Sequence, residues 1–359
     1  MKKIKKNKSH SNFLKKWLIK INRKLGFELV DQNNLTFSTR ENTEEQSVTE
    51  INKKIITLPL GEVEIKNKVK SLVIIFRSFT NENKLLSQNK KRIFEEEKKE
   101  YTLRSLRSIC RNISSFNKKF DDLKTYLKII DDKSDKSIID QFNNICSKEK
   151  ISYDIEKLDN EKYSEKLNFK DNPRMVSHNC HIMQSKNFAL KEDYDLIYFV
   201  EDDYIHAENA IEEMVCSYQK FSSQTEDDII LCPSDYPYLY QKYENTRILM
   251  GHKKHWRQVG ESLCTYLLSK NTLKKFWNYY EDMFLNNYDP YEKPLHDLYK
   301  KVFCFSPMPS IAIHLTNINS IYGLSPQIDW KKLWDENKKF FVKVKKKPPR
   351  EGAFIYLTN

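Results

Sequence analysis

Residues 194–204 read YDLIYFVEDDY, an apolar run that ends in consecutive acids. The β-branched and aromatic part, residues 196–200, predicts a buried strand of a parallel sheet. Glu201, Asp202 and Asp203 follow directly, and adjacent carboxylates at a strand end are unfavourable unless a cation lies among them. Because Mg²⁺ and Mn²⁺ prefer such oxygen ligands, the stretch predicts a metal site, with a solvated acidic loop as the alternative.

On both sides of this stretch, predicted strands alternate with predicted helices. The alternation is typical of βαβ units and predicts an α/β fold with a Rossmann-like, mainly parallel sheet flanked by helices. Ligands of such sheets bind beyond the carboxyl ends of the strands, where residues 201–203 lie. The predicted strands are 71–76, 126–130, 151–158, 196–200 and 229–231; the predicted helices are 91–116, 137–148, 177–190, 208–221, 268–284 and 296–302; and loops are predicted at 236–240, 252–256 and 289–291.

The positive charge of the chain is concentrated at its N-terminus. The 359 residues carry a formal net charge of +12, yet Met1–Phe27 contains ten Lys and Arg residues and no acid. The remainder has 52 basic and 50 acidic residues and is therefore close to neutral. Charge confined to an arm argues against a nucleic-acid-binding domain, so no nucleic-acid partner is expected.

The N-terminal arm itself has helical periodicity. Over residues 11–25, Phe13, Trp17, Ile21 and Leu25 share one face, and Lys and Arg occupy much of the rest. A basic amphipathic helix of this composition suits an anionic membrane surface, where each Lys or Arg contributes roughly 1 kcal/mol. A helix docked on its own domain and a disordered basic tail are the alternatives.

The composition also indicates the compartment. Seven scattered cysteines without a C-x-x-C motif favour reduced thiols in the cytosol over a disulfide framework or a zinc ribbon. No apolar run reaches about 18 residues, and no apolar signal region stands at the N-terminus. We therefore expect a cytoplasmic protein, held peripherally at the inner face of the plasma membrane by its arm.

A second acidic motif lies upstream, where residues 129–135 read IIDDKSD. Asp131 and Asp132 stand after a predicted strand and before a predicted helix. Carboxylates at this place can accept hydrogen bonds from a ribose or a base edge. The alternative is an ordinary helix N-terminus, where Asp and Ser are favoured in any case.

The two acidic motifs, about 70 residues apart on a βαβ pattern, resemble those of nucleotide-sugar glycosyltransferases with the GT-A fold. The family-2 type is the most similar; its VDDGSTD turn appears here as IDDKSD at residues 130–135, without the glycine and one residue. The resemblance covers about residues 70–330. It implies a GT-A domain at 70–330 with a nucleotide-sugar half (70–232) and an acceptor half (233–330). Composition and periodicity predict the remaining segments: an N-terminal arm at 1–30, a linker and lead-in segment at 31–69, and a Lys-rich extension at 331–359.

The resemblance also implies roles for individual residues on the donor side. Asp131 and Asp132 would hold the ribose and base of the donor, and Arg77 would meet the nucleotide or its phosphates. Asp203 would bind Mn²⁺ or Mg²⁺. Since Glu-Asp-Asp stands where the family often has Asp-x-Asp, Glu201 and Asp202 would share the contacts to ribose, metal or metal-bound water.

Further residues are candidates for the metal, the base and the acceptor. Some GT-A enzymes use a late histidine on the metal or phosphate, which implies His314 here; a strand-end histidine with a backbone partner is the alternative. The family's general base is an acid in a Glu-Asp pair at the start of a late helix, which implies Asp297 in LHDLYK (295–300), where His replaces the Glu. Glu261 is the rival, and the alternative for both is a helix N-terminal carboxylate. His252, His255 and Trp256 are candidates for an acceptor or phosphate pocket, with ordinary loop packing as the alternative.

The resemblance implies a metal-dependent, inverting glycosyltransferase. It would move a sugar from a nucleotide diphosphate donor, expected to be a UDP-sugar, to a hydroxyl of a glycan or lipid-linked acceptor in cell-surface polysaccharide synthesis. A non-catalytic nucleotide-sugar or glycan-binding module and a nucleotidyltransferase are the alternatives. The latter normally has a glycine-rich basic loop after the first strand, and residues 76–81 (FRSFTN) contain no glycine.

Overall fold

The computed structural model describes residues 13–27, 55–57, 61–63, 65–81, 92–241, 245–315, 324–325 and 327–338. Most of the predicted linker and of the C-terminal extension, together with the two ends of the arm, lie outside these residues. In the described part of the chain, no helix is both long and apolar enough to cross a bilayer.

The N-terminal arm contains helix α1 (Phe13–Lys24), close to the prediction. Phe13 and Trp17 expose 82% and 57% of their surface, and Leu18 and Leu25 are also exposed. Arg23 and Lys24 occupy its last turn. Two three-residue strands follow, β1 (Ile55–Thr57) and β2 (Gly61–Val63).

Strands and helices alternate over most of residues 71–231, as the sequence predicts, and less regularly after them. The strands are β3 (Ser71–Ser78), β4 (Lys124–Asp131), β5 (Tyr153–Lys157), β6 (Leu196–Glu201), β7 (Tyr204–His206), β8 (Ile229–Leu231), β9 (Ile248–Met250), β10 (His255–Val259), β11 (Tyr266–Ser269), β12 (Phe303–Met308) and β13 (Ala312–His314). The helices are α2 (Lys98–Lys119), α3 (Lys136–Lys148), α4 (Asn160–Ser164), α5 (Pro173–Lys191), α6 (Ala210–Thr225), α7 (Lys270–Lys275), α8 (Trp277–Leu285), α9 (Lys293–Tyr299) and α10 (Trp330–Glu336), with a 3-10 helix at Pro237–Gln241.

Nine of the described strands form one sheet in the order β5-β4-β3-β6-β11-β8-β12-β10-β9. Strands β5, β4, β3 and β6 run parallel to one another, as do β8 and β12. Strands β11 and β10 are antiparallel to both of their neighbours. Seven strands therefore point the same way, and the predicted α/β class with a mainly parallel, helix-flanked sheet is confirmed. A small ladder of β7 and β13 stands apart from this sheet.

The central strand β3 is buried on both faces because helices cover both sides. Leu72, Ile74 and Phe76 belong to the core that includes α2, α3 and α6. Val73 and Ile75 belong to the opposite core, which includes α5, α8 and α9. This division follows from the two-residue period of a strand, and it explains why the strand reads as a continuous apolar run.

Three predicted elements differ from the structure. The helix expected over 91–116 begins only at Lys98. The helix expected over 268–284 is instead strand β11 followed by two short helices, because residues 266–269 pair with β6 and β8 on either side. The loop expected at 252–256 enters β10, since His255–Val259 pairs with both β9 and β12.

Helix α10 packs on the N-terminal half of α2. Trp334 is 4% exposed and shares a small core with Tyr101, Ile205 and Ile313. The guanidinium of Arg104 lies 3.8 Å from the Trp334 ring centroid and donates to the Trp334 carbonyl at 2.8 Å. Positive side chains at a helix C-terminus satisfy carbonyls that lack intrahelical partners. The contact therefore joins the C-terminal part of the described chain to the main domain.

We expect Trp334→Ala to lower the free energy of unfolding by about 3–5 kcal/mol, because it removes a buried aromatic side chain and its stacking partners. Urea denaturation measures this change. Trp330→Ala is the matched control, since Trp330 lies on the same helix but is only half-buried and should cost less. Equal, small losses for both variants would contradict the docking of α10.

Candidate functional site

The carboxyl ends of three parallel strands bring the predicted donor-side residues to one edge of the sheet. The register places Arg77 on β3 opposite Glu201 on β6. It also places Ser78 opposite Asp131 on β4. Binding sites of parallel sheets lie at this edge. The sequence prediction that these motifs share one region therefore agrees with the strand order.

Asp131 and Asp132 are already bonded within their turn. Asp131 is 4% exposed and accepts hydrogen bonds from the hydroxyls of Ser78 at 2.7 Å and Ser134 at 2.6 Å, and from the Ser134 backbone N–H at 2.8 Å. Asp132 is 5% exposed and accepts from the Asn160 side chain at 3.2 Å. These contacts hold the turn between β4 and α3. A contact from either carboxylate to a nucleotide stays a prediction.

Asp202 ties α2 to the sheet. It forms an ion pair with Lys98 and accepts from the Thr102 hydroxyl at 2.7 Å and the Phe79 backbone N–H at 2.9 Å. Asp202 is 8% exposed, so these bonds occupy a buried carboxylate. The sequence contains no local signal for Lys98, which lies 104 residues earlier in the chain.

Asp203 faces a histidine on the small ladder of β7 and β13. Its Oδ1 lies 3.5 Å from Nε2 of His314, and its Oδ2 lies 4.0 Å from Nζ of Lys98. The His314 ring stacks on Tyr204 with centroids 4.6 Å apart, which orients the imidazole. Burial alone would raise the pKa of Asp203, but Lys98 and His314 hold it well below its usual value. Asp203 is thus a carboxylate ion at neutral pH.

Glu201 has the opposite shift. It lies 3.0 Å from the guanidinium of Arg77, which is buried. Burial raises the pKa of Glu201, the charge of Arg77 opposes this rise, and the charge of Asp203 adds to it. Glu201 therefore keeps a proton to a higher pH than an ordinary glutamate, whereas Asp203 loses its proton at a lower pH than an ordinary aspartate.

The residues present fit a divalent cation only in part. No group of three or more His, Cys, Asp or Glu side chains within the described ranges is arranged to hold a metal. Asp203 and His314 supply two ligand atoms 3.5 Å apart. Adjacent ligands of an octahedral Mg²⁺, each at ~2.1 Å, lie ~3 Å from one another. Such ions are commonly held by one or two side chains and completed by substrate phosphates, and this pair fits that arrangement.

Sequence analysis missed Glu292, the residue that precedes α9. Burial, followed by the charge of Glu201, raises the pKa of Glu292 to about 7. Its side chain makes no capping hydrogen bond. The neighbouring Tyr291 has a buried hydroxyl with no hydrogen-bond partner in the described part of the chain. An acid directly before a proline-containing helix start, in DPYEKP (289–294), was the available signal.

The two predicted bases differ from Glu292 in their surroundings. The Asp297 side chain is 43% exposed and forms an ion pair with Lys300 at 2.6 Å. The hydrogen bond from Lys300 lowers the pKa of Asp297, which weakens it as a base. Glu261 is half-buried in the loop between β10 and β11. Their catalytic roles stay predictions.

Two of the three predicted acceptor residues, Trp256 and His252, contact α6. Trp256 is fully buried and donates its indole N–H to Glu213 at 2.9 Å. His252 is 4% exposed and lies 3.0 Å from Glu212. His255, on β10, is exposed. The structure does not show these three side chains contacting the acids at the end of β6, and an acceptor role for them stays a prediction.

The chain matches no protein-family model and no curated protein. Among solved structures it is similar to GalNAc-T7 with UDP, GalNAc and Mn²⁺ (12% identity, 75% of this chain and 50% of that one, TM-score 0.40). It is also similar to UDP-glucose pyrophosphorylase complexed with UDP-glucose (7% identity, 75% of this chain and 98% of that one, TM-score 0.38). A third similar structure is the galactosyltransferase LgtC with donor and acceptor sugar analogs (8% identity, 65% of this chain and 72% of that one, TM-score 0.35). Similarity at this level does not identify a function, which is therefore argued from the site.

We expect Glu292→Gln to remove a pH-dependent loss of stability. The folded chain keeps a proton on Glu292 up to about pH 7, whereas an unfolded chain releases it near 4.5. Wild-type stability therefore falls as the pH rises from about 4.5 through 7, by about 1–3 kcal/mol.

Thermal melts at pH 5 and pH 8 measure this difference. Glu292→Gln should gain stability relative to wild type at pH 8 but not at pH 5. Glu281→Gln, an exposed glutamate on α8, is the control and should shift neither. A Glu292 variant that follows the wild type at both pH values would show that this carboxyl has an ordinary pKa.

Proposed function

We propose that this chain is a metal-dependent glycosyltransferase with a GT-A-like, family-2-like domain. It transfers a sugar with inversion from a nucleoside diphosphate donor, a UDP-sugar, to a hydroxyl of a glycan or lipid-linked acceptor in polysaccharide synthesis. The observation that carries the proposal is the pairing of ionised Asp203 with His314 at the carboxyl edge of the sheet, 3.5 Å apart. The register that aligns Arg77 with Glu201 at the same edge supports it.

The charge balance of the site supports a metal-bound diphosphate. The charges of Arg77, Lys98 and Arg92 act on the three carboxylates at residues 201–203 and balance them. Bound Mn²⁺ or Mg²⁺, held by Asp203 and His314, would neutralise the charge that develops on the leaving nucleoside diphosphate. A divalent cation would also give the site a net positive charge, which favours an anionic ligand.

Glu292 is the favoured base in this proposal, with Asp297 and Glu261 as rivals. A general base works best when its pKa is close to the operating pH, because it then both holds and releases a proton readily. The pKa of Glu292, about 7, meets this condition. The charge of Glu201 acts on Glu292, which associates Glu292 with the same edge of the sheet as Asp203. Arg77, 3.0 Å from Glu201, is proposed at this edge as the contact to the nucleotide or its phosphates.

The exposed apolar side chains of α1 support a membrane-associated acceptor. Phe13, Trp17 and Leu18 are exposed on a helix that also carries Lys and Arg. We place the protein on the cytoplasmic face of an anionic membrane, with α1 lying in the interface. This position would bring the catalytic domain to lipid-linked acceptors.

We expect Asp203→Asn to reduce release of UDP from a panel of UDP-sugars with Mn²⁺ by about 100-fold, because a metal ligand and its charge are lost together. Glu208→Gln is the matched control: Glu208 is exposed, five residues away, and should have wild-type activity. Unchanged turnover in Asp203→Asn would remove the metal assignment.

The reaction products separate the competing functions. Formation of UTP and a sugar 1-phosphate from UDP-sugar and pyrophosphate would establish a nucleotidyltransferase instead. Donor binding without turnover in the presence of any acceptor would establish a binding module.

We expect Trp17→Asp to weaken binding to phosphatidylglycerol vesicles by about tenfold or more, since it removes a large apolar side chain from the membrane-facing side. Asn22→Asp adds the same charge to the same helix without removing apolar surface, and should weaken binding less. Vesicle sedimentation measures both. Equal binding of the two variants would place the membrane contact outside α1.

A further inference from the structure

The segment between residue 92 and the start of α2 is held in a defined position. The Phe94 backbone N–H donates to the Tyr101 hydroxyl at 2.7 Å, and the same hydroxyl donates to the Phe94 carbonyl at 2.8 Å. The Phe94 ring stacks on Trp334 with centroids 4.1 Å apart. Tyr101 is fully buried on α2, so the segment is anchored to the main domain.

Arg92, at the start of this segment, has buried donors without partners. Its guanidinium carbon lies 5.1 Å from the Tyr101 ring centroid. Within the described chain, its Nε and Nη1 atoms are buried and make no hydrogen bond. Buried polar atoms are nearly always bonded, and an unbonded charged donor is more unfavourable than a neutral one. The guanidinium is therefore suited to an anion that is not part of the protein.

The surroundings of Arg92 indicate where that anion lies. The charge of Arg92 acts on Asp203, where it contributes to the lowered pKa. Burial raises the pKa of Tyr101; the charge of Arg92 lowers it, and the charge of Asp203 raises it. The geometry agrees: Arg92 lies over the ring of Tyr101, which is one helical turn from Lys98 on α2, and Nζ of Lys98 is 4.0 Å from the proposed metal ligand Asp203. Lys98, the other cation near Asp203, is paired with Asp202.

We propose that Arg92 binds phosphate oxygens of the diphosphate group at the Asp203–His314 site. The identity of the ligand as a nucleoside diphosphate rests on the proposed function. The role requires arginine, because a planar guanidinium presents two parallel donors to phosphate, whereas a lysine ammonium presents a point charge. Arg92 and the metal would then contact different oxygens of the same diphosphate.

The test compares the full-length wild type with Arg92→Met and Arg92→Lys. Calorimetry with Mn²⁺ and either UDP or inorganic pyrophosphate measures affinity. We expect Arg92→Met to weaken binding of both ligands by about 10- to 100-fold, and Arg92→Lys to recover only part of the loss. Arg247→Met is the matched control, since Arg247 is an exposed arginine that packs over Phe303, and it should bind as wild type.

Four outcomes separate this inference from the proposed function. Loss of both ligands in Arg92→Met, with an unchanged melting temperature, supports the inference. Wild-type affinity in Arg92→Met overturns it and leaves the proposed function standing. Arg92-dependent binding of pyrophosphate without any binding of UDP or another nucleoside diphosphate supports the anion site and overturns the glycosyltransferase. A wild type that binds neither ligand overturns both.

Discussion

The site depends on one buried ion pair, between Asp202 and Lys98. Asp202 lies just after β6, Lys98 begins α2, and the Asp202 carboxylate also receives the backbone N–H of Phe79 just after β3. One carboxylate therefore fixes two strand ends and a helix relative to each other. Removing one partner of such a pair leaves an uncompensated buried charge, at a cost of about 3–5 kcal/mol. The orientation of the adjacent Asp203 follows from this constraint.

Three consecutive acids thus have three different electrostatic environments. Asp202 is used to join elements, Glu201 is partly neutralised by Arg77 and has a raised pKa, and Asp203 has a lowered pKa between Lys98 and His314. Glu201 ends β6, and Asp202 and Asp203 lie in the turn that follows, where Lys98 pairs with Asp202 and approaches Asp203 to 4.0 Å. A single acidic run in this way combines a structural tether, Asp202, with the carboxylate that we propose as a cation ligand, Asp203.

The elements that could be predicted are those with local signals. Strands β3 and β6 are continuous apolar runs because helices cover both faces of the sheet, and the order of β4, β3 and β6 placed the acids at one edge. The partners of those acids could not be predicted, since Lys98 and His314 lie about a hundred residues away on either side. Burial produced the other differences: Trp256 lies in the core, and the raised pKa of Glu292 depends on packing that no short motif records. The loop predicted at 252–256 is wrong at His255 and Trp256 for a different reason: these residues pair with distant strands, β9 and β12, which no local pattern indicates.

The docking of α10 has a consequence for synthesis of the protein. Phe94 stacks on Trp334, and Arg104 and Arg107 bond the carbonyls of Trp334 and Asn337. The segment that carries Arg92 and the start of α2 are thus completed by residues near 334–337. While this chain is still attached to the ribosome, its sheet can form as the strands emerge, but the packing around Arg92 must wait for those last turns. The anion site that we propose at Arg92 would therefore be completed only after residues 334–337 have left the ribosome.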